Sequence, residues 1–140
     1  MVKLIVGNKG TGKTKALIHL VEKAAQDTKG NVVCIERGDA LKFDLSHKIR
    51  LIDIEEYAVS GAEAYYGFMA GLLAGNYDIT EVFADATLKI LCEKDSKNPQ
   101  ALADFALRLD KLTRQREICV TMTVSCDKAD IPETIRGMIV

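Results

Sequence analysis

A short apolar segment, a glycine-rich loop and an amphipathic segment follow one another at the start of the chain. Residues 2–6 are apolar apart from Lys3, and they predict a buried strand. The loop Gly7-Asn8-Lys9-Gly10-Thr11-Gly12-Lys13-Thr14 has the spacing G-x-x-x-x-G-K-T. A strand that turns through such a loop into a helix restricts the chain to an α/β fold and predicts a phosphate site. The apolar residues at helical spacing are Ala16, Leu17, Leu20, Val21, Ala24 and Ala25.

The residue types of this loop are suited to holding a phosphate group. Glycines allow successive backbone N–H groups to point at an anion, and the helix start adds unpaired donors and a positive dipole end. In this pattern Lys13 contacts the β- and γ-phosphates, which makes it a candidate catalytic residue, and the Thr14 hydroxyl binds Mg²⁺. The predicted nucleotide-binding residues are Gly7, Asn8, Lys9, Gly10, Thr11, Gly12, Lys13, Thr14 and Lys15.

Length and composition are those of one small globular domain. The chain has 140 residues, 48% of them hydrophobic, so we expect a single domain over residues 1–140. The glycine loop predicts that this domain binds a nucleotide. A net charge of -1 disfavours a broadly basic surface, and a nucleic-acid partner is not indicated. No apolar run approaches the about 20 residues of a membrane span, and the apolar start is too short for a signal peptide. We therefore expect no membrane partner and a cytoplasmic location.

Strand-like and helix-like segments alternate along the rest of the chain. Apolar runs predict further strands at residues 32–35, 49–54, 79–84, 118–124 and 136–140. Helices are predicted from Ser60 to about residue 74, with Ser60 and Glu63 as a capping box, and after Asn98-Pro99. This alternation predicts a three-layer α/β/α fold with a mainly parallel sheet of about five to six strands.

Polar residues follow several of the predicted strands. In a parallel sheet these positions share one edge, so we expect the glycine loop, Glu55, Glu56, Asp85 and Ser125 to lie along it. Asp85 directly follows the apolar run at residues 79–84. This looks like the Walker B pattern, in which an aspartate after a hydrophobic strand holds Mg²⁺ together with the loop threonine. The alternative is an aspartate that caps a helix or a turn.

Taken together, residues 7–14, Asp85 and the order of elements resemble a small P-loop NTPase of the ASCE division, which includes recombinase-type and AAA-type ATPases. The resemblance implies ATP and Mg²⁺ as ligands. It also implies an additional strand after Walker B that ends in a polar residue sensing the γ-phosphate, a position that Thr123 or Ser125 matches. Only residues 7–14 carry a specific motif.

The resemblance also implies a catalytic glutamate. Many members carry it directly after the Walker B aspartate, where this chain has Ala86. Some recombinase-like members place it at the end of a neighbouring strand, and Glu55 and Glu56 are our candidates for that base because they follow residues 51–54. A solvated acidic turn is the alternative.

Two further features favour other interpretations. Asp127-Lys128-Ala129-Asp130 resembles the guanine-reading motif N-K-x-D of GTPases, although Asp127 replaces the asparagine and residues 85–88 lack the pattern D-x-x-G. Arg108, Arg114 and Arg116 form either an arginine finger across a subunit interface or a solvated helical face.

The leading hypothesis is an ATP- and Mg²⁺-binding protein that hydrolyses the nucleoside triphosphate slowly, with turnover set by a homo-oligomer or a protein partner. A small-molecule or nucleoside kinase is the first alternative, with Arg37, Lys42, Asp44 and His47 of residues 37–48 near the acceptor. A GTP-binding switch and a non-catalytic nucleotide sensor are the others.

Overall fold

The computed structural model of the chain describes residues 1–42, 44–91 and 99–140. Its strands are β1 (Val2–Gly7), β2 (Asn31–Glu36), β3 (Arg50–Asp53), β4 (Ile79–Ala84) and β5 (Cys119–Ser125). Its α-helices are α1 (Lys13–Asp27), α2 (Ala62–Gly75), α3 (Thr87–Leu91), α4 (Pro99–Arg114) and α5 (Glu133–Arg136). Two 3₁₀ turns cover Ile54–Tyr57 and Lys128–Asp130.

The strands form a single parallel sheet in the order β1-β5-β4-β2-β3. The last strand in the chain, β5, therefore lies between β1 and β4. Because all pairs are parallel, the carboxyl ends of the five strands meet at one edge, as the sequence predicts. The α/β class with a parallel sheet is confirmed, and the arrangement is compatible with three layers.

Helices cover both faces of the sheet. Leu17 and Val21 of α1 pack against Val32 and Cys34 of β2 and Phe83 of β4, and we call this side of the sheet the α1 face. The other helices pack on the opposite face, against residues that alternate along each strand with those of the α1 face. Among the described residues, no helix is both long and apolar enough to cross a bilayer.

The prediction of a strand at residues 136–140 is wrong. Helix α5 takes up the first of these residues, since the fully buried Ile135 anchors a helical turn there. Beyond it, Ile139 forms a single parallel bridge with Leu4 of β1. The Leu4 N–H donates to Met138 O at 2.8 Å, and the Val140 N–H donates to Leu4 O at 3.0 Å. At this side of β1, therefore, a single residue pairs with the sheet and no strand is formed in residues 136–140.

The predicted capping box of α2 is also wrong. The helix begins at Ala62, with Gly61 as its N-cap and no side-chain cap. Gly61 has a φ of 89°, which favours glycine, and its N–H donates to Ile90 O at 2.8 Å. The Glu63 carboxylate accepts a hydrogen bond from Arg108 at 2.7 Å instead of capping the helix. Pro99 begins α4 as expected, whereas Asn98 lies outside the described residues, and the sequence did not predict α3.

Tyr65 places a polar atom in the core between α2 and α4. Its ring is fully buried and stacks on Phe105, with ring centroids 5.1 Å apart. Within the described residues, its hydroxyl has no hydrogen-bond partner, and neither has the buried hydroxyl of Thr87. A buried hydroxyl without a partner costs about 1–3 kcal/mol of stability.

The Tyr65→Phe variant should therefore be more stable than the wild type by about 1–3 kcal/mol, because the ring stays and only the unpaired hydroxyl is removed. Urea unfolding followed by circular dichroism measures the difference. Tyr65→Ala, which removes the ring, is the control and should lose about 3–5 kcal/mol. A clear loss of stability in Tyr65→Phe would contradict the assignment of an unpaired hydroxyl.

Candidate functional site

The loop after β1 depends on its glycines. Gly10 and Gly12 have φ angles of 86° and 85°, which L-residues rarely adopt. A Cβ at Gly7 would lie 2.6 Å from the hydroxyl oxygen of Thr11, which itself donates to the Asn8 carbonyl at 2.7 Å. Local contacts of this kind fix the loop in one curved conformation.

Several backbone amides of this loop are available to a ligand. Across the described part of the chain, the N–H groups of Gly10, Gly12 and Lys13 donate to no protein acceptor. Helix α1 begins at this point without a side-chain cap or an acidic residue in its first turn. Unpaired donors and an uncompensated positive dipole end both favour an anion.

The loop borders a cavity of about 550 Å³, a volume typical of small-ligand sites, which we call the loop cavity. Among the described residues, Lys9, Lys13, Lys15 and Lys89 line it, and Asp85 is the one carboxylate. The Lys13 ammonium group lies across the loop and donates to Asn8 O at 2.9 Å. The remaining lining residues are Gly10, Gly12, Thr14, Ala86, Leu88 and Ser125. The lysine excess selects for negatively charged ligands.

Asp85 directly contacts the threonine of the loop. The Thr14 hydroxyl donates to Asp85 Oδ2 at 3.3 Å, and the Thr123 hydroxyl donates to Oδ1. Thr123 also accepts the Ala86 N–H at 3.1 Å, so β5 supports the turn that carries Asp85. The predicted pair of Mg²⁺ ligands is therefore side by side.

The donor set of this pair fits Mg²⁺. The ion prefers oxygen ligands and keeps several waters, so one carboxylate and one hydroxyl beside a phosphate site suffice. In residues 1–42, 44–91 and 99–140, no group of three or more histidines, cysteines, aspartates or glutamates is placed to hold a metal ion. A site that filled its coordination sphere with protein ligands would need such a group.

The two candidates for a γ-phosphate sensor differ in position. Thr123 is buried, with 2% of its surface exposed, and both of its hydrogen bonds hold the Asp85 turn. Ser125 is exposed at the end of β5 and lines the loop cavity. Ser125 is thus placed to contact a ligand, whereas Thr123 positions Asp85.

Glu55 and Glu56 are not brought to the loop cavity. They lie in the 3₁₀ turn after β3, and β2 separates that strand from β4. Both side chains are exposed, and Glu55 accepts a hydrogen bond from Arg37 at 3.0 Å. Glu56 lines a different cavity, which lies between β2 and β3 and is also lined by Lys42 and His47.

Glu36 is an acid that the sequence analysis missed. It ends β2, the direct neighbour of β4, and it follows Ile35, which pairs with Ala84. Because neighbouring strands are about 4.8 Å apart, Glu36 and Asp85 are adjacent on the α1 face. The signal was present, since an apolar run at 32–35 leads into an acid just as residues 79–84 lead into Asp85.

The environment of Glu36 is unusual for a carboxylate. Only 3% of its surface is exposed, and its two oxygens accept the Leu41 N–H at 3.1 and 3.2 Å. Burial raises the pKa of Glu36 above its usual value, and the charges of Asp53 and Asp85 act in the same direction, whereas the Leu41 amide opposes them.

Asp127 and Lys128 lie on the other side of the loop. With Gly12, Lys13 and other residues they line a second cavity of about 440 Å³. The Asp127 carboxylate accepts the Ala129 N–H at 2.9 Å. Asp127 and Lys128 are therefore next to the glycine loop, whereas Asp130, the residue that would contact guanine in the motif, lines another cavity.

The three arginines do not form one cluster. Arg108 pairs with Glu63 and lies 4.0 Å from the centre of the Tyr66 ring. Arg114 pairs with Asp110, and Arg116 donates to the Leu112 carbonyl. Each is bound to its own helix or to α2, and all three are exposed in the described chain.

Comparison with known proteins does not assign the chain to a family. No protein-family model matches the chain, and no curated protein matches it.

The raised pKa of Glu36 predicts a pH dependence of stability. Protonated Glu36 contributes its full stability below the carboxyl pKa of the unfolded chain, and this contribution is lost as the pH rises through its higher folded pKa. The wild type should therefore lose stability relative to Glu36→Gln between about pH 4 and neutral pH. Urea unfolding of both proteins across this range measures the difference. Glu56→Gln controls for net charge, and a pH-independent difference for Glu36→Gln would refute the prediction.

Proposed function

We propose that this protein binds ATP with Mg²⁺ in the loop cavity and hydrolyses it slowly, with turnover raised by a partner protein or by further copies of the chain. The contact between Thr14 and Asp85 carries the proposal, because it joins residues 71 positions apart at the mouth of a glycine loop. The unpaired amides and the four lysines of the cavity support an anionic ligand.

The strand order supports the resemblance to ASCE ATPases. That resemblance implies an intervening strand after Walker B, and β5 follows β4 in the chain and lies between β1 and β4 in the sheet. Its polar residues reach the positions that the resemblance implies, with Thr123 bonded to Asp85 and Ser125 lining the cavity.

Different residues of the chain would bind the phosphates and the Mg²⁺ ion. The amides of Gly10, Gly12 and Lys13 and the Lys13 ammonium group would hold the β- and γ-phosphates. The Thr14 hydroxyl and the Asp85 carboxylate would hold Mg²⁺, which when bound neutralises charge on the phosphates. Lys13 and Ser125 would stabilise the charge that develops on the γ-phosphate oxygens during transfer of the γ-phosphoryl group to water.

Glu36, and not Glu55 or Glu56, is our candidate for the base. It is the acid at the end of the strand next to Asp85. A water oxygen attacks the γ-phosphorus, the bond to the β–γ bridging oxygen breaks, and the water proton passes to the Glu36 carboxylate. The products are ADP and inorganic phosphate.

A guanine nucleotide is the second candidate ligand, because Asp127 and Lys128 of the segment that resembles N-K-x-D lie beside the loop. In that motif the last residue, here Asp130, accepts two hydrogen bonds from guanine. Competition between ATP, GTP and their diphosphates distinguishes the two. Preference for GTP that is lost in Asp130→Ala would support guanine.

ATP with Mg²⁺ should raise the melting temperature of the wild type, and Lys13→Ala should reduce this shift. Loss of a charged hydrogen bond of about 1.5–3 kcal/mol weakens binding roughly 10- to 150-fold. Asp85→Asn should keep much of the binding but lose its dependence on Mg²⁺. Lys23→Ala, at the far end of α1, is the matched control. An unchanged melting temperature of the wild type at millimolar ATP and Mg²⁺ would refute the proposed function.

Glu36→Gln should lower kcat for ATP hydrolysis about 100-fold or more, because a positioned base contributes about 10²–10⁴ to the rate. Its melting temperature should still rise with ATP. Glu55→Gln and Glu56→Gln are the controls and should hydrolyse ATP at the wild-type rate. If Glu36→Gln stays active and either control loses activity, Glu36 is not the base, and the residue replaced in the inactive control becomes the candidate.

A further inference from the structure

We propose that residues 38–42 and 44–49, which we call the strap, hold the carboxylate of Glu36 away from the loop cavity, and that release of the strap starts ATP hydrolysis. This inference rests on the proposed function. It assigns to the strap the control of turnover, separately from the binding of the nucleotide.

The first observation is the direction in which the Glu36 carboxylate is held. Both of its oxygens accept the N–H of Leu41 in the strap. The side chain lines the cavity of about 530 Å³ beneath the strap, together with Lys42, His47 and Asp53, and it does not line the loop cavity. The acid closest to Asp85 along the sheet edge is therefore turned towards the strap.

The second observation is that the strap is fastened to the elements on either side of it. The Gly38 N–H donates to Asp53 Oδ1 at 2.8 Å at the end of β3. The Ser46 N–H donates to Glu22 Oε1 of α1 at 2.7 Å. In addition, Leu41 and Ile49 are buried against α1 in the hydrophobic cluster of the α1 face. These contacts keep the Leu41 amide over Glu36.

The third observation is the link to the loop and to the surface. The strap is hydrogen-bonded to α1, the helix whose first residue is Lys13. Movement of the strap and movement of α1 are therefore coupled. The outer residues of the strap are exposed, and Asp39, Ala40, Asp44 and Lys48 among them are accessible to a partner. A partner that draws the strap outward removes the Leu41 amide and frees the Glu36 side chain to turn towards its neighbour Asp85.

The test removes the fastening on α1 without altering the loop cavity. Glu22→Ala deletes the acceptor of the Ser46 amide, and it should raise kcat for ATP hydrolysis by the isolated chain about three- to tenfold, the effect of losing one hydrogen bond. Glu22→Gln keeps an oxygen acceptor and should retain the wild-type rate. Glu22→Ala combined with Glu36→Gln should show no increase. The ATP-induced shift in melting temperature should be the same in Glu22→Ala, Glu22→Gln and wild type.

A second variant and a second readout keep the test decisive. Leu41→Ala reduces the packing of the strap on α1 and should also raise kcat, and hydrogen exchange at the amide of residue 41 should be faster in both variants. If neither variant hydrolyses ATP faster while both still bind it, the strap does not control turnover. An increase that persists without Glu36 also overturns the inference. Absence of ATP binding by the wild type would instead overturn the proposed function.

Discussion

The carboxylate of Asp85 holds the edge of the sheet together at the point where the candidate site lies. It accepts hydrogen bonds from Thr14 at the start of α1 and from Thr123 on β5. The backbone N–H of Asp85 donates to Ile35 O at the end of β2. Four segments that are remote in the sequence are thereby fixed relative to one another. The geometry exists because every strand of the sheet runs in the same direction, which brings all their carboxyl ends to one edge.

Asp85 and Glu36, the acids at the ends of two neighbouring strands, lie in different environments. Asp85 faces hydroxyl groups and a lysine-lined cavity, whereas Glu36 is buried and its oxygens are occupied by the Leu41 amide. Carboxylates a strand apart repel one another, which is one reason why the pKa of Glu36 is raised. In the proposed function, binding of a nucleotide and its hydrolysis are accordingly separable, since the proposed binding groups are at least partly exposed and the candidate base is buried.

Helix α1 connects these two parts of the molecule. Its first turn continues the glycine loop, and Glu22, further along the same helix, accepts the Ser46 amide of the strap. Leu17 and Val21 seat the helix on the α1 face, where Leu41 and Ile49 of the strap pack beside them. A packed helix moves as a unit, so a change at one end is transmitted to the other.

The sequence by itself determined the features that are local. Eight consecutive residues, Gly7 to Thr14, predict the curved loop because its conformation follows from positive φ angles at glycine and from contacts over a few positions. Apolar runs likewise located the five strands of the sheet, and the position directly after residues 79–84 selected Asp85 as the candidate Mg²⁺ ligand. Only the tertiary structure decided the order of those strands, because pairing joins residues far apart and leaves no periodicity in the chain. That order placed β2, and not β3, beside β4, so Glu36 replaced Glu55 and Glu56 as the acid next to Asp85. The tertiary structure also pairs Glu63 with Arg108 of α4, because α2 begins after Ser60 and Gly61 is its N-cap.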